Sequence, residues 1–71
     1  MKEYSLFKAA EDGCLRCVRR KLEAEKDVNP HATSETNNYT VKDFAKYAVD
    51  KHIDGADTVV KYLEKYWPGI P

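Results

Sequence analysis

Neither charge is in excess in this 71-residue chain: 12 lysines and arginines meet 12 aspartates and glutamates, and the formal net charge is zero. Nonspecific grip on nucleic acid needs clustered cations that displace counterions from phosphate, so this balance excludes a generic nucleic-acid binder. Both halves of the chain are balanced, so neither reads as a polyionic tail. Long apolar runs are missing too. No segment approaches the roughly 20 residues a membrane helix needs, and Met1-Lys2-Glu3-Tyr4 leads into an amphipathic stretch rather than a signal-peptide core. The expectation is an intracellular protein, cytoplasmic or nuclear, with no membrane attachment. Cysteine is confined to Cys14 and Cys17, and in an unexported chain these are expected as reduced thiols, which excludes a disulfide framework. The shortness of the chain excludes most stand-alone enzyme folds. One small domain is expected, burying only about 60% of the surface its unfolded chain exposes.

What is present is helical periodicity. Leu6, Ala9 and Ala10 form an i, i+3, i+4 stripe, with Ser5 as a cap and Gly13 as a stop, which predicts a helix over residues 5–12. Leu15, Val18 and Leu22 predict a second over 14–25, joined so tightly to the first that the two must run antiparallel. Pro30 and the polar run from Thr33 to Asn38 predict an exposed loop or loose hairpin. Thr40 and Asp43 have the spacing of a capping box ahead of Val41, Phe44, Ala45, Ala48, Val49 and Ile53, which predicts a third helix running to about His52. Asp54-Gly55 separates it from a fourth, over 57–66, that turns Val59, Val60, Leu63 and Tyr66 inward. The predicted fold class is all-α: two stacked helix-turn-helix hairpins joined by a long polar loop.

The two hairpins echo each other. Leu6-Phe7-Lys8-Ala9-Ala10 through Gly13, Val18 and Leu22 to Asp27-Val28-Asn29 resembles an ankyrin repeat from its inner helix onward. Thr40-Val41-Lys42-Asp43-Phe44-Ala45, with Val59-Val60-Lys61-Tyr62-Leu63, is similar to the form that closing repeats of that family take. The resemblance divides a single domain, residues 1–71, into repeat one at about 5–29, a finger loop at 30–39 and repeat two at about 40–67. Glu25-Lys26 stands where the family usually has Gly-Ala, so the left-handed turn expected there must be made by Glu25 or rebuilt. The second unit is longer than the family's between Ala45 and Val59, which is read as a third helix extended by one to two turns. Having only two units implies either a terminal fragment of a longer repeat array or a minimal pair with unusual end caps, for which Tyr4, Trp67 and Ile70 are candidates.

Chemistry-bearing patterns are few. Cys14-Leu15-Arg16-Cys17 with His31 and His52 supplies zinc-type ligands, but the spacing between the histidines does not suit a finger, no strand precedes the motif as in a thioredoxin-like redox pair, and the ankyrin register implies helix-packing positions for both thiols. Arg16, Arg19 and Arg20 share a helix face, diluted by Glu23 and Glu25. Asp12, Asp43 and Asp50 fall on polar helix faces, where general acid-base chemistry lacks the water-poor site it needs. No nucleophile elbow, phosphate loop or zinc-protease motif is present. An enzyme is not expected, nor is a cofactor.

The resemblance to ankyrin repeats implies a protein-interaction module that reads a partner protein through loop tips and the exposed side of each inner helix. Carried over by position, that surface comprises Lys8, Glu11 and Asp12 from the first inner helix and Lys42, Lys46 and Asp50 from the second. Ser34, Glu35, Asn37, Asn38 and Tyr39 project from the loop beside them, with Thr33 at its start. Two alternatives stay open: a small zinc-binding domain using Cys14, Cys17 and a histidine, and a structural subunit that self-associates through its helix ends.

Overall fold

The inner helices begin at the hydroxyl caps that the sequence supplies, Ser5 and Thr40. In the computed structural model, which describes residues 5–25 and 27–69, there are four helices and no strand among the described residues: α1 (Leu6–Glu11), α2 (Leu15–Ala24), α3 (Val41–Asp50) and α4 (Ala56–Tyr66). The Ser5 hydroxyl accepts a hydrogen bond from the Lys8 backbone N–H, which satisfies one of the open donors of α1. Thr40 and Asp43 form the reciprocal capping box of α3: Asp43 N–H donates to Thr40 Oγ1, and Thr40 N–H donates to Asp43 Oδ2, both at 3.1 Å. The hairpin α1–α2 lies against the hairpin α3–α4, with α1 beside α3 and α2 beside α4.

Ala9, Ala10 and Ala45 are fully buried on the inner helices, where small side chains let α1 and α3 approach closely. Val18 and Leu22 from α2 and Val59 and Leu63 from α4 complete one continuous core with Leu6, Val41 and Phe44. Burying each of these larger side chains contributes about 1.5–3 kcal/mol. Trp67, expected as a cap, is half-buried against this core at the end of α4. Tyr4 and Ile70 lie outside the described residues. Tyr66, expected inward, is exposed on its ring but donates its hydroxyl to the Leu22 carbonyl at 3.4 Å, a link between α4 and α2.

The two hairpin turns touch. Gly13 leaves α1 with φ 70°, and its neighbours close the exit with hydrogen bonds from Gly13 N–H to Ala10 O and from Cys14 N–H to Ala9 O, both at 3.1 Å. A Cβ on Gly13 would stand 2.9 Å from the Asp54 carbonyl oxygen, and one on Gly55 would stand 2.8 Å from the Gly13 carbonyl oxygen. The turns therefore meet backbone to backbone, and a side chain at either position has nowhere to go.

Helix α3 stops earlier than its apolar spacing predicts. It ends at Asp50, and His52 takes a left-handed conformation, φ 60°, with Ile53 N–H donating to Ala48 O at 2.9 Å and His52 N–H to Val49 O at 3.0 Å. This is the same exit α1 makes, with histidine in the place of glycine. Val49 and Ile53 are consequently exposed, at 39% and 40%, rather than part of the core stripe. A left-handed non-glycine residue costs about 1–2 kcal/mol, so His52→Gly should stabilise by about 0.5–1 kcal/mol after glycine's extra chain entropy. The melting temperature should rise by about 2–8 °C, read by thermal circular dichroism. The exit of α2 is rebuilt instead: Glu25 is extended, with φ −117° and ψ 94°, so no left-handed turn is made there.

Candidate functional site

The polar segment between the hairpins is held in shape by local hydrogen bonds. Ser34 N–H donates to the Tyr39 carbonyl and Asn38 N–H to the Ser34 carbonyl, both at 2.9 Å, while the Ser34 hydroxyl and Asn37 side-chain oxygen accept from Thr36 and Tyr39 N–H at 3.3 Å. Asn38 sits at φ 59°, a conformation that asparagine tolerates better than most residues. The result is a closed loop whose tip presents Glu35, Asn37 and Asn38 to solvent.

Aromatic rings tie this loop to both inner helices. Tyr39 packs edge-on to Phe44 of α3 at 5.4 Å between centroids and to Tyr47 at 6.3 Å, and Phe44 in turn meets Phe7 of α1 at 5.7 Å. Phe44 is buried, whereas Tyr39 and Tyr47 are 37% and 40% exposed. Two shallow grooves flank the rings. One, of about 220 Å³, runs between α1 and the loop and is bordered by Lys8, Glu11, Ser34, Thr36 and Asn37. The other, of about 370 Å³, runs along α3 and is bordered by Tyr39, Asp43, Lys46, Tyr47 and Asp50.

Charge on this face is mixed. The Lys8 ammonium lies 3.4 Å from Glu11 and 3.7 Å from Asp12. The hydrogen bond to Glu11, followed by the charges of Asp12 and Glu11, raises the Lys8 pKa above its ordinary value. Lys8 therefore stays cationic across the physiological range, within a patch that also carries two carboxylates. On α3, Lys51 places its ammonium 5.4 Å from the Tyr47 ring centroid.

Of the sequence-predicted surface, Lys8, Glu11, Ser34 and Asn37 border one groove and Tyr39, Lys46 and Asp50 the other. Lys8, Asp12, Glu35, Asn37, Asn38, Tyr39, Lys46 and Asp50 are exposed, and Glu11 and Ser34 are half-buried at a groove edge. Lys42 does not belong with them: it is only 6% exposed, in the first turn of α3 beside buried Val41. A lysine stem can lie along apolar surface, which is why its charge alone misplaced it. Sequence reasoning also missed Tyr47 and Thr36. Asp43, Lys46, Tyr47 and Asp50 stand at i, i+3, i+4 and i+7, and that stripe was the signal that could have found the tyrosine.

The cysteines require a correction. Cys14 and Cys17, expected as reduced thiols at packing positions, are joined as a disulfide. Cys14 is the extended N-cap of α2 and Cys17 lies in its first turn, which sets their Cα atoms 5.3 Å apart, within the span a disulfide bridges. Among the described residues no group of three or more His, Cys, Asp and Glu side chains comes together to hold a metal. Arg16, Arg19 and Arg20 border a separate groove on α2, on the outer helix layer and away from the ring ladder, together with Glu23. On this helix Lys21 pairs with Glu25 at 4.0 Å. Among the described residues no helix is long and apolar enough to cross a membrane.

No family model matches the chain, and no curated protein or solved structure matches it. The functional reading therefore rests on the geometry of the inner-helix face and on the sequence pattern.

Proposed function

We propose that the chain is a non-catalytic, ankyrin-repeat-like module that binds a partner protein through the 33–39 loop and the exposed faces of α1 and α3, in the cytoplasm or nucleus. The observation that carries this reading is the ring ladder. Two exposed tyrosines, backed by a buried phenylalanine, sit between two grooves of mixed polar and aromatic lining, so that loop and helices form one continuous surface. Rigid aromatic rings give contact area at low entropic cost, and flanking groups of both charges set register and exclude wrong partners. The order of the helices, inner beside inner and outer beside outer, is also the one the ankyrin resemblance implies.

Lys46 and Asp50 are exposed and one helical turn apart, which makes them a test of the surface separate from stability. Lys46→Glu combined with Asp50→Lys should leave the melt within about 0.5 kcal/mol of the parent while weakening partner binding about tenfold. The melt is read by circular dichroism, and binding by titration against the captured partner. Unchanged affinity in a folded double variant would remove the α3 face from the site.

A further inference from the structure

The C-x-x-C at the start of α2 plays no part in the inner-helix surface, and its chemistry is distinct. We propose that Cys14 and Cys17 are a redox-active dithiol–disulfide pair that exchanges with small anionic disulfides of the glutathione class, Cys14 attacking and Cys17 resolving. Cys14 and Cys17 are joined at the N-terminus of α2, with their Cα atoms 5.3 Å apart, within the span a disulfide bridges. Closing so short a ring removes little chain entropy, which makes a stapling role weak.

The roles follow from position. Cys14 is the N-cap of a ten-residue helix, and its Sγ accepts a hydrogen bond from the Cys17 N–H at 3.2 Å. A thiolate there is stabilised by that donor and by the positive end of the helix. Cys17 is packed against the hydrophobic core, as suits a second thiol that acts only on its neighbour. Arg16, Arg19 and Arg20 are exposed on the same helix, and their positive charge favours the approach of an anionic disulfide.

The exchange balances. The Cys14 thiolate attacks one sulfur of glutathione disulfide, forms a mixed disulfide and releases a glutathione thiolate, which takes up a proton. Cys17 then loses its proton, and its thiolate attacks Cys14 Sγ and releases the second glutathione thiolate. The two cysteines lose two electrons and one glutathione disulfide becomes two glutathiones.

The test starts from fully reduced protein, mixes it with glutathione disulfide at neutral pH, quenches with acid and reads the products by mass spectrometry. Wild type should pass to the internal disulfide without accumulating an adduct. Cys17→Ser should accumulate one glutathione on Cys14, and Cys14→Ser should react about tenfold more slowly. Serine preserves the cap at residue 14, and circular dichroism verifies that both variants fold. Wild type in urea supplies the unfolded reference, which native wild type should exceed in its rate of alkylation by iodoacetamide. Replacing glutathione disulfide with neutral hydroxyethyl disulfide should slow the reaction, and Arg16→Ala with Arg20→Ala should abolish that difference. A wild-type protein that stays a dithiol or takes up two glutathiones would overturn the proposal. So would equal rates for the two serine variants, native alkylation no faster than in urea, or indifference to the charge of the disulfide.

Discussion

Gly13→Val should remove about half of the domain's stability to unfolding. Valine at φ 70° is strained by its branched side chain, and its Cβ would stand 2.9 Å from both the Asp54 carbonyl oxygen and Ile53 Cγ2. The strain costs about 1–2 kcal/mol and the overpacking about 1–3 kcal/mol more. A domain of this length is stable by only roughly 4–10 kcal/mol, so a loss of about 2–5 kcal/mol removes about half of it. Because the obstruction is backbone of the opposing turn, relief requires the hairpins to part. Urea titration followed by circular dichroism should show a midpoint far below the parent's. Gly69→Ala is the control: Gly69 also has positive φ, 85°, but nothing lies within 4 Å of its added Cβ, and the cost should be near 1 kcal/mol. Equal losses at both positions would mean that backbone conformation, not contact between the turns, explains the effect.

Leu22→Ala and Leu63→Ala should each remove about 2–5 kcal/mol, since both side chains are fully buried in the core. The pair is informative because Leu22 belongs to the first hairpin and Leu63 to the second. If the hairpins fold as one unit, either substitution lowers a single shared transition. Trp67, the single tryptophan, packs on the core at the end of α4, so its fluorescence reports the second hairpin, whereas circular dichroism reports all helices. The two probes should give coincident curves for both variants. Separated curves for Leu22→Ala would show that the second hairpin survives loss of the first.

The elements legible in the sequence were those marked by a local signal. Ser5 and Gly13 bracket α1, Thr40 and Asp43 open α3, and the run from Thr33 to Asn38 has turn formers and no apolar period. The end of α3 was not legible, because Val49 and Ile53 keep helical spacing while the stop is a left-handed His52, a residue that carries no strong C-terminal signal. The disulfide was hidden by an argument from compartment, although N-cap and first-turn positions bring C-x-x-C sulfurs together in any compartment. Of the site, the loop and the exposed charges of α1 and α3 could be read from polarity. Lys42 could not, because charge does not reveal where a long apolar stem lies, and Tyr47 was overlooked inside a stripe of charges that named its face.

In the proposed function the loop and α3 form one surface that reads a protein, while the arginine face of α2 does not. A photo-crosslinking amino acid placed in turn at Asn37, Lys46 and Arg19 tests it in an extract of the source cells, with covalent adducts identified by mass spectrometry. All three positions are exposed, so access to reagent is equal. The account predicts the same crosslinked protein from positions 37 and 46, and its absence from position 19. No common adduct at 37 and 46, or the same adduct at all three positions, would contradict it.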